Sequence, residues 1–262
     1  MVFALVVLFV VAGLTAGSAV HEPPKSEAGM PAAAETSGRA MVGPLFHGKD
    51  ARGVHSCSAS VVDSPSGDVL LTAAHCLSGR AIGWTFAPGF DDGATPYGIW
   101  HTTGAYLDPH WLHDQDPQFD YAVLTVASHR RAGRLMPLQQ VVGGLEIGRP
   151  PIFRPVRVTD IAYNSGVGGR AISCSTTLTW TQGYPTFDCA GFVGGSSGSP
   201  WITVGLDGRR EVIGVTGGLH QGGCVDFISY ASLFDSGVRE MITRATYGEA
   251  ADVAPVRDDD GC

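Results

Sequence analysis

Positive charge is scarce in this sequence: 17 Lys and Arg against 25 Asp and Glu leave a formal net charge of −8 over 262 residues. Nucleic-acid-binding surfaces are basic, so no nucleic-acid partner is expected. Charged residues of either sign make up only 16% of the chain, and long amphipathic stretches are missing, which argues against a helical bundle. No two cysteines stand in a CxxC pair. Thiolate zinc spacing is therefore absent, and neither a metal nor another cofactor is expected. Internal repeats are absent as well, which sets aside a solenoid or stalk.

Glycine, by contrast, is abundant, with 36 residues, and it separates short apolar runs together with Pro, Asn and Asp, the pattern of an all-β chain. Expected strands are Ser58 to Val62, Val69 to Thr72, Tyr121 to Val126, Val156 to Tyr163, Ala171 to Trp180, Trp201 to Val204 and Glu211 to Thr216. Turn signals such as Ser64-Pro65-Ser66-Gly67 and Asp207-Gly208 lie between them. One helix is expected near the end, capped by Asp235 or Ser236, with Val238, Met241, Ile242 and Ala245 on one face. Many strands and one terminal helix point to two packed barrels, about 42–130 and 145–247, joined by the Pro/Gly-rich stretch Gly143 to Pro155. A chain of this length buries sizeable cores alone, so a monomer is expected.

At the N-terminus, the apolar run Val2 to Ala12 has the length of a signal-peptide core and is followed by Ala16, Gly17, Ser18 and Ala19. Residues 1–19 are thus expected to form an export signal, although no Lys or Arg precedes the run. The alternative is an uncleaved anchor reaching to about Val20. Residues 20–41, rich in Ala, Glu and Pro, read as a linker or pro-segment, and 248–262 as a loosely ordered acidic tail. Six cysteines, an even number in an exported chain, suit disulfides and a secreted, extracellular location.

Three segments carry chemistry. Leu71-Thr72-Ala73-Ala74-His75-Cys76 places a histidine directly after a short strand, beside a cysteine able to reach Cys57. Phe119-Asp120-Tyr121-Ala122-Val123-Leu124 places a lone carboxylate at the head of an apolar strand. A buried carboxylate needs a donor, and an imidazole Nδ1–H supplies one while leaving Nε2 free to act as a base. Gly194-Gly195-Ser196-Ser197-Gly198-Ser199-Pro200-Trp201 places serines between glycines. A serine hydroxyl needs a base to become a nucleophile, and its oxyanion needs preorganised N–H donors, which a glycine-bearing turn can aim inward.

LTAAHC, DYAVL and GSSGSP in that order resemble the trypsin/chymotrypsin-like serine peptidase family, most nearly its bacterial secreted branch that includes glutamyl endopeptidases. The likeness covers about Val42 to Tyr247 and takes in VGPLF, CSASVVDSPSGDVLLTAAHC and VIGVTGG. It implies two six-stranded antiparallel β-barrels of the chymotrypsin type with a C-terminal helix, and a serine endopeptidase acting on peptide or protein substrates. By the same resemblance His75 is the general base, Asp120 its orienting carboxylate and Ser197 the nucleophile. The N–H groups of Gly195 and Ser197 would form the oxyanion hole, and Thr216, Gly217 and Gly218 the substrate groove. Ser196 departs from the animal members, where an Asp before the nucleophile receives a new N-terminal ammonium; a hydroxyl cannot make that ion pair.

The resemblance says little about specificity. The pocket floor is expected near Gly191, with Asp188 just out of register and Val215 where glutamyl-specific relatives carry a histidine. No carboxylate is placed for a basic side chain, and a neutral or small side chain is expected. With Cys57–Cys76 set, the other four cysteines allow three pairings. Cys174–Cys189 with Cys224–Cys262 is favoured, and family habit offers Cys189–Cys224 instead. His101, His110 and His113 with Asp114 and Asp116 could be read as a metal site, though their spacing matches no ligand motif. The competing functional class is a binding protein that keeps the fold without catalysis.

Overall fold

The computed structural model describes residues 29–131, 133–149, 155–256 and 262. The expected export signal, part of the Gly143 to Pro155 connection and the Asp258-Asp259-Asp260 run lie outside the described residues. The strands of the first half are β1 (Ala34–Thr36), β2 (Val42–Phe46), β3 (Val54–Val61), β4 (Val69–Thr72), β5 (Thr85–Phe86), β6 (Trp100–Leu107) and β7 (Ala122–Val126). A short helix α1 (Pro109–Asp114) precedes β7; a small hairpin β8 (His129–Arg131) and β9 (Arg134–Met136), then α2 (Leu138–Val142), follow it. The second half comprises β10 (Glu146–Ile147), β11 (Arg157–Ala162), β12 (Gly166–Val167), β13 (Ala171–Thr177), β14 (Thr179–Thr181), β15 (Tyr184–Asp188), β16 (Pro200–Val204), β17 (Arg210–Thr216) and β18 (Ile228–Leu233), ending in α3 (Gly237–Thr246).

In the first half, hydrogen bonds run β3-β2-β5-β6-β7-β4 and back from β4 to β3, closing a six-stranded antiparallel barrel. Period-two alternation divides its apolar residues between two cores. Leu45, Leu70, Ala122 and Leu124 fill the barrel, while Val42, Val69, Leu71 and Val123 point outward into a shared core. The second half supplies Ile161, Ile202, Val212 and Val215 to that shared core. Strands buried on both faces read as continuous apolar runs, which is why VLLT and AVL stand out in the sequence. Helix α3 covers one side of the shared core with Val238, Met241, Ile242 and Ala245, and Asp235 Oδ1 accepts the Gly237 N–H at its start at 2.7 Å.

The second sheet runs β1-β13-β11-β16-β17-β18-β15-β14 and curls around Val158, Phe187, Trp201 and Ile213. Its ends do not meet in a hydrogen-bonded ladder among the described residues. The Cys174–Cys189 disulfide instead joins β13 to the residue after β15 across the seam. The first barrel is thus closed by backbone pairing and the second half is a curled sheet closed by a covalent staple.

Two segments differ from their sequence reading. The end of the expected linker is paired: β1 lies antiparallel on β13, and Ala33 N–H donates to Ala190 O at 2.8 Å while Ala190 N–H donates to Pro31 O at 2.9 Å. Ala34 and Glu35 stay exposed, so backbone pairing rather than side-chain burial makes this strand, and no alternation marks it in the sequence. The start of the tail is docked as well. Ala254 and Gly79 exchange hydrogen bonds of 2.8 and 3.0 Å, and Asp252 accepts the Leu107 N–H and pairs with Arg244 at 2.8 Å.

Candidate active site

His75 sits in a single 3₁₀ turn, Ala74–Cys76, directly after β4, with all three residues buried. Cys76 is bonded to Cys57 on β3, so the turn that carries the imidazole is tied back to its own barrel. The loop-closure estimate for a span of this size is about 3 kcal/mol. A Cys57→Ser, Cys76→Ser double variant is therefore expected to melt at lower temperature and, with His75 as the base expected from the sequence, to turn over substrate more slowly when assayed where it is still folded. Unchanged kcat with a lowered Tm would reduce the bridge to a brace.

Asp120 ends a second 3₁₀ turn, Pro117–Phe119, and enters β7 fully buried. Its carboxylate accepts three N–H donors: Oδ1 takes the His75 backbone N–H at 2.8 Å, while Oδ2 takes His75 Nδ1 at 2.7 Å and the Gly218 N–H at 2.8 Å. A carboxylate at Nδ1 fixes the tautomer in which Nε2 carries no hydrogen.

Ser197 lies in the loop between β15 and β16, which Ser58 of β3 grips at two points. Ser58 N–H donates to Ser197 O at 2.8 Å, and its hydroxyl donates to Gly195 O at 3.0 Å. Gly195 has φ +97°, and an added Cβ would lie 2.2 Å from Ser165 N; Gly198 has φ +80°, and its Cβ would lie 2.3 Å from Thr72 Oγ1. Both positions exclude any side chain. Among the described residues neither Gly195 N–H nor Ser197 N–H donates to a protein acceptor. His75 and Ser197 border one pocket of about 300 Å³, and among the described residues no hydrogen bond joins Ser197 Oγ to the imidazole. Contacts of that kind tighten when substrate binds.

The pocket is lined by Phe192 to Gly194 before Ser197, by Thr216, and by residues between His220 and Ser229, Asp226 among them. Next to the position expected for the floor, Phe192 borders the pocket, and Gly191 donates its N–H to Asp226 O at 2.7 Å, Asp226 being another lining residue; Asp188 lies on β15, accepting from the Thr179 hydroxyl at 3.2 Å. Of the expected groove residues, Thr216 borders the pocket, whereas Gly217 and Gly218 lie against Asp120. His220 and Asp226 escaped the sequence reading because they flank a glycine-rich loop with no periodicity. Cys224–Cys262 ties the end of the chain to this pocket, completing the three disulfides.

The histidine patch is dispersed. His110 Nδ1 bonds Asp108 at 2.8 Å and stacks on Phe119, while His101 Nδ1 meets the Thr85 hydroxyl at 3.2 Å. Among the described residues, the groups of three that could hold a metal are Cys57, His75 and Cys76, and His220, Cys224 and Cys262, whose cysteines are all in disulfides. Oxidised sulfurs offer no thiolate ligand.

Behind the Ser197 loop, Asp160 of β11 is fully buried. Burial pushes its carboxyl up to about 7, against the opposing effect of hydrogen bonds from Ser199 and Thr216. Its facing neighbours across the sheet are Cys174 of β13, which is disulfide-bonded, and Trp201 of β16, neither of them charged. A raised carboxyl pKa favours the folded state fully below the unfolded pKa of about 3.9, and that advantage is lost as pH climbs to about 7. Between those limits the Tm of the wild type is expected to fall, relative to Asp160→Asn, as pH rises. Parallel Tm curves from pH 4 to 8 would contradict it.

The architecture of a closed barrel, a curled second sheet and a C-terminal helix is that of the chymotrypsin-like serine proteases. The chain is similar in structure to the protease Anisep of Arthrobacter nicotinovorans, with a TM-score of 0.66 at 22% identity, over 81% of this chain and 98% of that one. A Glu endopeptidase aligns with a TM-score of 0.63 at 17% identity, over 84% and 98% of the two chains. Human heparin binding protein aligns with a TM-score of 0.63 at 13% identity, over 86% and 100%. No protein-family model matches the chain, and no curated protein matches it. At such identities the likeness establishes the fold, and function rests on the site.

Proposed function

We propose that the chain is a secreted serine endopeptidase that hydrolyses peptide bonds through His75, Asp120 and Ser197. The observation that carries this reading is the buried 2.7 Å contact of His75 Nδ1 with Asp120, on the pocket that Ser197 also borders. Ser197 Oγ attacks the scissile carbonyl as His75 Nε2 takes its proton, and Asp120 holds the imidazolium that results. The oxyanion is received by the N–H groups of Gly195 and Ser197, each such donor being worth about 10²–10³ in kcat. His75 then protonates the leaving amine, and water attacks the acyl-enzyme by the same route. Three disulfides support an extracellular setting.

A fluorophosphonate probe is expected to label the wild type at Ser197, and peptide-library profiling to return cleavage sites. A folded chain that takes no label would instead be a binding protein on this fold. Among the described residues the pocket is lined by Asp226 and by no Lys or Arg, so acidic P1 residues are expected to be disfavoured by like charge. Matched peptides with Glu and Gln at P1 test this: Gln should have the higher kcat/KM, and Asp226→Asn should narrow the gap.

A further inference from the structure

Three oxygens meet beneath the Ser197 loop. Ser199 Oγ lies 3.0 Å from Asp160 Oδ2, Thr216 Oγ1 lies 2.9 Å from the same oxygen, and the two hydroxyls are 3.0 Å apart. The indole N–H of Trp201 donates to Thr216 Oγ1 at 3.0 Å. Each member of this closed triangle comes from a different place: Asp160 from β11, Ser199 from the end of the Ser197 loop and Thr216 from the end of β17. The backbone couples the same two segments, since Gly198 N–H donates to Thr216 O at 2.7 Å and Thr216 N–H to Ser199 O at 3.0 Å.

Stability does not account for an acid here. Among the described residues no side chain hydrogen-bonds the buried Asp160 Oδ1, and a buried polar group so placed is destabilising. Val158, Ala162, Phe187, Trp201 and Ile213 form the apolar cluster on this sheet, where an apolar side chain would incur no such cost. What the carboxyl supplies is a fixed geometry. The Ser197 loop also lacks a carboxylate of its own, because Ser196 precedes Ser197.

We propose that Asp160 is a positioning residue, whose side chain holds Ser199 and Thr216 together and so sets where Ser197 and its neighbouring N–H groups stand relative to His75. The inference rests on the serine-peptidase reading above. The anchor comes from β11 within the folded chain and needs no newly cut terminus.

The test uses the full chain and a fluorophosphonate probe, with labelling rates of the wild type, Asp160→Ala, Asp160→Asn and Thr216→Val compared well below each Tm. Misplacing a reacting group by about 1 Å can cost about 10²-fold. Asp160→Ala is therefore expected to label tenfold or more slowly, with Asp160→Asn, which keeps an acceptor in the triangle, recovering most of the rate. Thr216→Val keeps the side-chain shape, removes one corner, and should slow labelling in the same direction even where the alanine variant fails to fold. A wild type without label removes the peptidase reading and this one together. A labelled wild type with Asp160→Ala or Thr216→Val equally fast removes this one alone, as does an asparagine variant no faster than alanine.

Discussion

Ser197→Ala is expected to abolish probe labelling and to lower kcat by several orders of magnitude while leaving Tm close to that of the wild type. The loss of rate follows from removing the proposed nucleophile, since in a coupled triad the loss of the nucleophile costs nearly as much as the loss of all three members. The retained stability follows from geometry: the loop is held by its backbone, through the Ser58 bond to Ser197 O and the Gly198 bond to Thr216 O, and no hydrogen bond of Ser197 Oγ contributes among the described residues. Both quantities come from one preparation, by peptide hydrolysis and thermal melting. Near-normal hydrolysis by the alanine variant would remove Ser197 from the mechanism.

Gly198→Ala is expected to be strongly destabilising. An alanine Cβ would stand 2.3 Å from Thr72 Oγ1, 2.4 Å from Ser58 O and 2.8 Å from Ala73 N, two of them backbone atoms, on a backbone held at φ +80°. Neither the barrel rim nor the loop can yield without breaking the Ser58 grip, so strain and clash together should exceed about 3 kcal/mol. Gly183 is a control: its φ is +83° but an added Cβ meets nothing within 4 Å. Gly183→Ala should cost about 1–2 kcal/mol from backbone strain alone. Comparable Tm losses at both positions would mean that the close approach at Gly198 is not what fixes that residue.

Legibility in the sequence followed how locally each feature is encoded. His75, Asp120 and the Ser197 loop were each marked by a polar group set against strand or glycine context, and those marks survive without knowledge of the fold. The strand β4 was read to the residue because both its faces are apolar. By contrast β6, WHTTGAYL, hides behind Thr102, Thr103 and Gly104, and β15 contains Pro185, which counts against a strand in any sequence reading. Asp160 carries a signal like that of Asp120, one acid in a mostly apolar and β-branched run, but inside the expected strand Val156 to Tyr163 the neighbouring Arg157 makes it read as a surface charge. The pocket was illegible because its lining comes from segments far apart in the sequence, His75, the Ser197 loop, Thr216 and the loop before β18, which only the folded sheets bring together.

The pairing of residues 31–36 ties the end of the expected linker into the second sheet. Pro31 and Ala33 bracket Ala190, and the β1 rail closes the outer edge of β13. A processing protease that cut just before Val42 would strip that rail and leave the backbone of Ala190 unpaired on this side, one residue from Gly191 and two from Phe192 on the pocket wall. Residues 31–36 therefore belong to the second sheet rather than to a free leader, and their removal would expose the edge of β13 beside the pocket wall.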